Sequence, residues 1–145
     1  MKNLGIERII WEYNFFALDI FIWVTAPSSF VSGQTLFAKL GASGNVTGQR
    51  IRIYTGSSGQ IQADVEDGSN NEVTLTTGSK ILKASAVNFI RFQRKGNKFS
   101  LWLVNGSEDH RNLFLAPDDT ETDSSVGKIT TTDNLVLNAL PSNQS

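Results

Sequence analysis

The chain has 145 residues, a net charge of −1 and no cysteine. This length fits one domain over residues 1–145, and a hydrophobic content of 39% is enough to build its core. With no basic excess and no cysteine, we expect neither nucleic acid as a partner nor disulfides nor thiolate chemistry.

The most apolar stretch, residues 15–24, is far shorter than the roughly 20 residues of a membrane-spanning helix, and it contains Asp19. Glu7 and Glu12 precede it, whereas a signal peptide begins with basic residues. We therefore predict a core strand, with no signal peptide and no insertion into a membrane.

Apolar and polar residues alternate over short runs, separated by Gly, Asn, Ser and Asp, which is typical of β-strands. In the strand at residues 15–24, Asp19, Phe21 and Trp23 occupy the face opposite the main apolar one. The predicted strands are residues 6–13, 15–24, 35–40, 50–55, 60–66, 72–77, a hairpin over 87–104 that turns at 95–97, 111–116 and 134–140. Residues 80–86 are compatible with one helical turn, and residues 117–127 form a polar loop.

About nine or ten strands at near-regular spacing with Gly-rich turns predict an all-β fold, an antiparallel β-sandwich or barrel. Ile51, Ile53, Ile61, Ala63 and Val65 are predicted to face the core, as are Trp11 and Trp23.

The order of several short motifs is similar to a known family. Trp23 and Pro27 end an aromatic-rich strand, residues 36–39 read "LFAK", and residues 94–106 form a hairpin that closes on Asn-Gly. This set resembles the laminin-G-like branch of the concanavalin A-like lectin/glucanase superfamily, over roughly residues 16–106. The resemblance implies an antiparallel β-sandwich of the concanavalin A-like jelly-roll kind.

The chain departs from that family at two places. Ala86-Val87-Asn88 stands where the family usually has a Trp-His pair before the hairpin, and the chain stops near Leu140 without the usual closing strand. Residues 5–14 look like that closing strand moved to the front, which a sandwich with adjacent termini tolerates. The alternative is that a neighbouring subunit supplies or receives a strand.

Catalysis is not expected. The glucanases of this superfamily need two carboxyls about 5 Å apart, and Asp64, Glu66 and Asp67 have the wrong spacing for their motif. Glu66 is expected beside Asp64 on the solvated face of an edge strand. The single histidine, His110, is expected to be a solvated loop residue.

Carbohydrate binding has more support, because lectins stack an exposed aromatic ring on a sugar and hold its hydroxyls with polar side chains. The candidate ligand-binding residues are Tyr54 and Trp102, with Arg52 and Asn105 as polar neighbours. Tryptophan is usually mostly buried, so burial is the favoured alternative for Trp102, whereas exposure of Tyr54 is an open question.

Calcium is a further candidate ligand, since members of the resembled family often bind it through loop oxygens and calcium takes six to eight of them. The two oxygen-rich loops contain Asp118, Asp119, Glu121 and Asp123 in the first, and Glu66, Asp67, Asn70 and Asn71 in the second. Acidic surface loops more often serve solubility. No other cofactor is expected.

Taken together, we expect a non-catalytic module that acts as a structural or adhesive part of a multimeric assembly, such as a phage decoration or tail-associated protein. Its partners would be other copies of itself or other virion proteins, and its location the virion or an extracellular surface. The alternative is a free carbohydrate-binding lectin domain with or without calcium.

Overall fold

The structure is a computed structural model that describes residues 5–14, 17–29, 32–39, 49–106, 108–127, 129 and 135–139, the first and last of these ranges as backbone only. The strands are β1 (Gly5–Asn14), β2 (Ala17–Ala26), β3 (Thr35–Lys39), β4 (Arg50–Thr55), β5 (Gln60–Glu66), β6 (Glu72–Ile81), β7 (Ala86–Lys95), β8 (Lys98–Asn105), β9 (Asp119–Thr122) and β10 (Leu135–Ala139). A short 3₁₀ helix, His110–Phe114, lies between β8 and β9.

The strands form two antiparallel five-stranded sheets. The first has the order β1-β2-β7-β8-β9 and the second has the order β10-β3-β4-β5-β6. The predicted all-β sandwich is therefore confirmed.

One continuous core lies between the sheets, and strands such as β2, β4 and β7 supply it by alternating buried and less buried residues. Leu18, Ile20, Ile22 and Val24 of β2 are buried, and the residues between them are not fully buried. The first sheet also contributes Ile90, Phe92, Phe99, Leu101 and Leu103, and the second contributes Leu36, Ile51, Ile53, Ile61, Ala63, Val65, Val73 and Leu75. The core-facing residues predicted in β4 and β5 are confirmed.

The predicted hairpin forms the centre of the first sheet. Lys95 of β7 stands opposite Lys98 of β8, and Gly96 takes a φ of 62° in the turn between them. Only glycine adopts this left-handed conformation without strain, which explains its position in the turn.

Three local predictions were wrong. Residues 111–116 do not form a strand, because the chain there folds into the 3₁₀ helix capped by the Asp109 carboxylate, which accepts a hydrogen bond from the Arg111 N–H. The polar loop at 117–127 contains β9, whose residues pair with the start of β8. Residues 80–86 contain no helical turn, since β6 extends to Ile81 and β7 begins at Ala86.

The first sheet is completed by the N-terminal segment of the same chain. β1 pairs antiparallel with β2, from Gly5 opposite Thr25 to Asn14 opposite Ala17. Residues 5–14 thus occupy the edge of the sheet as a strand.

Candidate functional site

An apolar groove lies on the outer face of the first sheet. Neighbouring strands place side chains there in rows, with Phe21 of β2 opposite Arg91 of β7, and Trp23 opposite Phe89. The 3₁₀ helix crosses above these rows and closes one wall. The groove has a volume of about 250 Å³, and its lining, called here the aromatic groove, consists of Phe21, Trp23, Phe89, His110, Leu113 and Phe114.

The rings of the groove contact one another. Trp23 and Phe89 meet edge to face with centroids 6.1 Å apart, and Phe21 lies 5.8 Å from Phe114. His110 is exposed, as predicted, but it begins the 3₁₀ helix instead of lying in a loop, and the centre of its ring lies 6.0 Å from that of Phe89. The groove is thus an aromatic surface of tilted and edge-to-face rings, in which Phe114 and His110 are exposed to solvent.

Two side chains from the sheet hold the 3₁₀ helix in place. Arg91 donates from Nη1 to the Leu113 carbonyl at 2.9 Å, and Trp102 donates from its indole N–H to the Leu115 carbonyl at 2.9 Å. Leu113 packs below them against Trp102 and Val104. The helix depends on these tertiary contacts, since five residues are too few to be stable as an isolated helix.

The charges below the groove are paired. Arg91 binds Asp19 through two hydrogen bonds of 2.9 and 2.7 Å, a bidentate geometry that fixes both groups. Gln93 donates a third bond to the same carboxylate at 2.9 Å. The Arg91 guanidinium also lies about 5 Å from the rings of Phe21, Trp102 and Phe114.

Apolar side chains project beside the groove. Phe114 and the next residue, Leu115, are each 65% exposed. Val87, two residues before Phe89 on the same strand, is 40% exposed. Exposed apolar side chains next to an apolar groove are typical of an interaction site.

A second, polar surface lies on the outer face of the second sheet. Arg50 forms ion pairs with Glu66 and Glu72, one on each of the next two strands. Asp64 accepts hydrogen bonds of 3.2 Å from Tyr54 Oη and from Thr74 Oγ1.

Arg52 occupies the middle of this polar face. Its guanidinium lies 3.9 Å from the centre of the Tyr54 ring, and its Nε donates to Thr35 Oγ1 at 3.3 Å. Asp64 stands directly opposite Arg52 on β5, yet the two groups form no ion pair in the described part of the chain. In the described part of the chain the hydrogen bond of Arg52 uses Nε, so its Nη atoms can still donate to a ligand, whereas Asp64 is buried.

Burial shifts the acidity of two groups on the polar face. The pKa of Asp64 is raised by burial, and hydrogen bonds from Tyr54 and Thr74 and the charge of Arg50 partly oppose this. Burial, the charge of Asp64 and the hydrogen bond to it raise the pKa of Tyr54 to about 12. Tyr54 is thus a neutral hydrogen-bond donor throughout the physiological range.

The prediction of a solvated face for Asp64 and Glu66 was wrong. β5 is an inner strand between β4 and β6, and the side chains of both neighbours cover its outer face. Asp64 is only 6% exposed and Glu66 is paired with Arg50.

The four predicted ligand-binding residues do not form one site. Tyr54 and Arg52 lie together on the polar face, whereas Trp102 and Asn105 belong to the first sheet. Trp102 is only 6% exposed and lies below the 3₁₀ helix, so of the two alternatives for this residue the structure shows burial. Asn105 donates from Nδ2 to the Ile81 carbonyl at 2.9 Å and so links the ends of β8 and β6.

The four predicted calcium ligands are mostly engaged elsewhere. Asp118 accepts from the Leu103 N–H at 2.6 Å, Asp119 from the Thr76 N–H at 2.9 Å, and Asp123 from Ser125. Glu121 is exposed. Among the residues that the structure describes, no three acidic or histidine side chains are grouped to hold a metal ion, so the calcium site stays a prediction without support from them.

The second oxygen-rich loop has a structural use. Asp67 accepts hydrogen bonds from the backbone of Ser69 and Asn71, from the Asn71 side chain and from the Gly127 N–H. Burial acts to raise the pKa of Asp67, but these bonds outweigh it and lower the pKa to about 2. Asp67 thus stabilises the β5–β6 turn and fastens it to residue 127.

The aromatic groove was not predicted from the sequence. The prediction that Phe21 and Trp23 lie on the face of β2 opposite the main apolar one is confirmed, whereas the prediction that Trp23 faces the core was wrong, because Trp23 lines the groove. The missed signal was Phe89, which shares this face on the neighbouring strand. The side chain of Trp11 lies outside the described residues.

Comparison of the chain with protein-family models and with curated proteins finds no match. In the described residues, none of the helices has the length and apolar character needed to cross a membrane.

Proposed function

We propose that this protein is a non-catalytic β-sandwich module that forms part of a multimeric assembly and binds a second copy of itself through the aromatic groove. The observation that carries this proposal is that strongly exposed apolar side chains border the aromatic groove. Phe114, which lines the groove, and the next residue, Leu115, are each 65% exposed and are called here the protrusion.

The size and lining of the groove suit a protein side chain. Its volume of about 250 Å³ is below the roughly 300–1,000 Å³ of pockets that hold drug-sized ligands. Its walls are mostly aromatic and aliphatic, so removal of an apolar side chain such as Phe114 or Leu115 of another copy from water into the groove is favourable.

A twofold axis brings the same patch of two copies together, so the patch must be complementary to itself. The groove of each copy would then face the protrusion of the other. The nearby charges are paired within each copy, Arg91 with Asp19 and Arg111 with Asp109, so two copies can approach without strong like-charge repulsion.

A phage decoration or tail-associated protein, located on the virion or on an extracellular surface, is the setting we propose for this assembly. The support is an analogy of fold and composition, because small β-sandwiches without cysteine are frequent in such particles.

Carbohydrate binding is the second candidate, and the polar face favours it. The half-buried Arg52 carries Nη donors that its bond to Thr35 does not use, and it lies against the half-buried Tyr54, so the two can contact the hydroxyls and the apolar face of a sugar. Tyr54 and Arg52 are the predicted site residues that support this candidate.

The assembly proposal is tested by the mass of the purified chain, measured by light scattering behind a sizing column. We expect a species larger than the 15.9 kDa monomer, and a smaller mass for the double variant Phe114→Ser, Leu115→Ser. Ile81→Ser is the matched control, because Ile81 is also exposed, at 44%, but does not line the groove. An unchanged mass in the double variant would contradict the proposal.

A further inference from the structure

We propose that two copies also join their first sheets along β1, in an antiparallel register centred on Ile10. The first sheet of one copy and the first sheet of the other, five strands each, would then form one continuous sheet across a twofold axis. The inference deepens and rests on the proposed assembly function, and it names a second interface, separate from the aromatic groove.

The four sheet edges differ in how open they are. Exposed edge strands present unpaired N–H and C=O groups that pair with another strand unless they are short or covered. β9 has four residues and β10 has five, so each offers little length for pairing. β1 and β6 have ten residues each.

Side chains of the first sheet cover β6. The Thr76 N–H donates to Asp119 Oδ2 at 2.9 Å, and Lys80 contacts the carboxylates of Glu108 and Asp118 at 3.2 and 3.5 Å. β6 also lies against β8 and β9. This side of the sandwich is therefore closed.

β1 is the remaining long edge. It contains no proline, and none of the described elements pairs with its outer side. From Arg8 to Asn14 it pairs with β2 without a break, whereas the register shifts between Ile6 and Arg8. The regular part of the strand is long enough to add a strand from another chain.

Symmetry and charge select the register. A twofold axis perpendicular to the sheet keeps each residue on the same face of the joined sheet. The numbers of two residues that stand opposite each other in the two copies must therefore differ by an even number. The register centred on Ile10 sets Arg8 of each copy opposite Glu12 of the other, which gives two pairs of opposite charge.

Neighbouring registers are less favourable. A centre at Glu12 sets two carboxylates opposite each other, which is destabilising. A centre at Trp11 sets Arg8 opposite Asn14 and Glu12 opposite Ile10, and it forms no pair of opposite charge. The Ile10 centre is the one among these that matches the charges of β1.

A charge exchange in the full chain tests the inference. In the Phe114→Ser, Leu115→Ser background, which removes the groove interface, light scattering should show a dimer of about twice 15.9 kDa. Arg8→Glu and Glu12→Arg should each weaken this dimer by about tenfold or more, since each replaces two opposite-charge pairs with two like-charge pairs. The combined variant Arg8→Glu, Glu12→Arg should restore it.

The outcomes separate the two proposals. A background variant that is monomeric, although the unmodified chain is larger, would overturn the β1 inference and leave the groove proposal standing. Single charge variants without effect, or a combined variant without recovery, would overturn the register. Masses that respond to the charge variants but not to Phe114→Ser, Leu115→Ser would support β1 pairing and contradict the groove. Circular dichroism of each variant separates loss of pairing from loss of folding.

Discussion

The indole N–H of Trp102 and the carbonyl oxygen of Leu115 lie 2.9 Å apart and join the first sheet to the end of the 3₁₀ helix. This bond positions Phe114 and Leu115, the two most exposed large apolar side chains in the described part of the chain. A buried tryptophan therefore determines the shape of a surface.

Replacement of Trp102 by phenylalanine should loosen this surface. Trp102→Phe removes the hydrogen bond to Leu115 and leaves a small cavity, so the free energy of unfolding should fall by about 1–3 kcal/mol. Hydrogen exchange should become faster at the amides of Asn112 and Leu115, which bond within the helix. Val104→Ala is the control, because it removes apolar contacts from the same cluster but keeps the hydrogen bond. Equal exchange rates in the two variants would contradict an anchoring role for Trp102.

Replacement of Tyr54 by phenylalanine should raise the pKa of Asp64 further. Burial already raises it, and the variant removes one of the hydrogen bonds that oppose the shift. A carboxyl with a raised pKa in the folded state destabilises the fold where it is ionised, so the stability loss should be about 1–2 kcal/mol at pH 7 and smaller near pH 3.8.

Carbon NMR of the Asp64 carboxyl measures this pKa directly. Glu72→Gln is a control of opposite sign, because the charge of Glu72 raises the pKa of Asp64 and its removal should lower it. A pKa of Asp64 that is equal in Tyr54→Phe and in the unmodified protein would contradict the assigned hydrogen bond.

Replacement of Arg52 by alanine tests the carbohydrate candidate. If the polar face binds sugar, a ligand found on a glycan array should bind Arg52→Ala at least about tenfold more weakly, the loss expected for a charged hydrogen bond. Lys98→Ala, a change of an exposed cation in the first sheet, should leave the affinity unchanged. Equal binding by both variants would remove the polar face from consideration.

Asp67 should account for part of the loss of folding stability at low pH. Its pKa is about 2 in the folded protein and 3.8 ordinarily, so the folded carboxylate contributes stability above pH 3.8 that is lost as the pH falls towards 2. Asp67→Asn should lose less stability than the unmodified protein over this window, measured by urea unfolding at each pH. Ser69→Ala should behave like the unmodified protein, because Asp67 accepts its bond from the backbone of residue 69. The same acid slope in Asp67→Asn as in the unmodified protein would contradict this role.

The sequence predicted the inner strands because their burial is visible as alternation. In β2, β4 and β7 buried residues alternate with half-buried or exposed ones, and these strands were predicted correctly, as were the core-facing Ile51 and Ile53 of β4. β9 has the sequence DTET, with no buried residue, so no periodicity marks it. Its pairing with β8 defines it as a strand.

The errors at the candidate sites have a related cause. The sequence does not show that β10 pairs with β3 and that β6 lies at the edge, so the inner position and burial of Asp64 and Glu66 could not be foreseen. The 3₁₀ helix likewise forms because Arg91 and Trp102 bind its carbonyl groups from other strands. The aromatic groove results from this helix and from the pairing of β2 with β7, which sets Trp23 opposite Phe89.

The most direct test of the central claim is the mass of the purified chain in solution, measured by light scattering over a range of concentrations. Two separate twofold interfaces, the aromatic groove and the β1 edge, predict a species larger than a dimer that falls to a dimer in Phe114→Ser, Leu115→Ser. A monomer of 15.9 kDa at all concentrations would contradict self-assembly and leave carbohydrate binding as the favoured function.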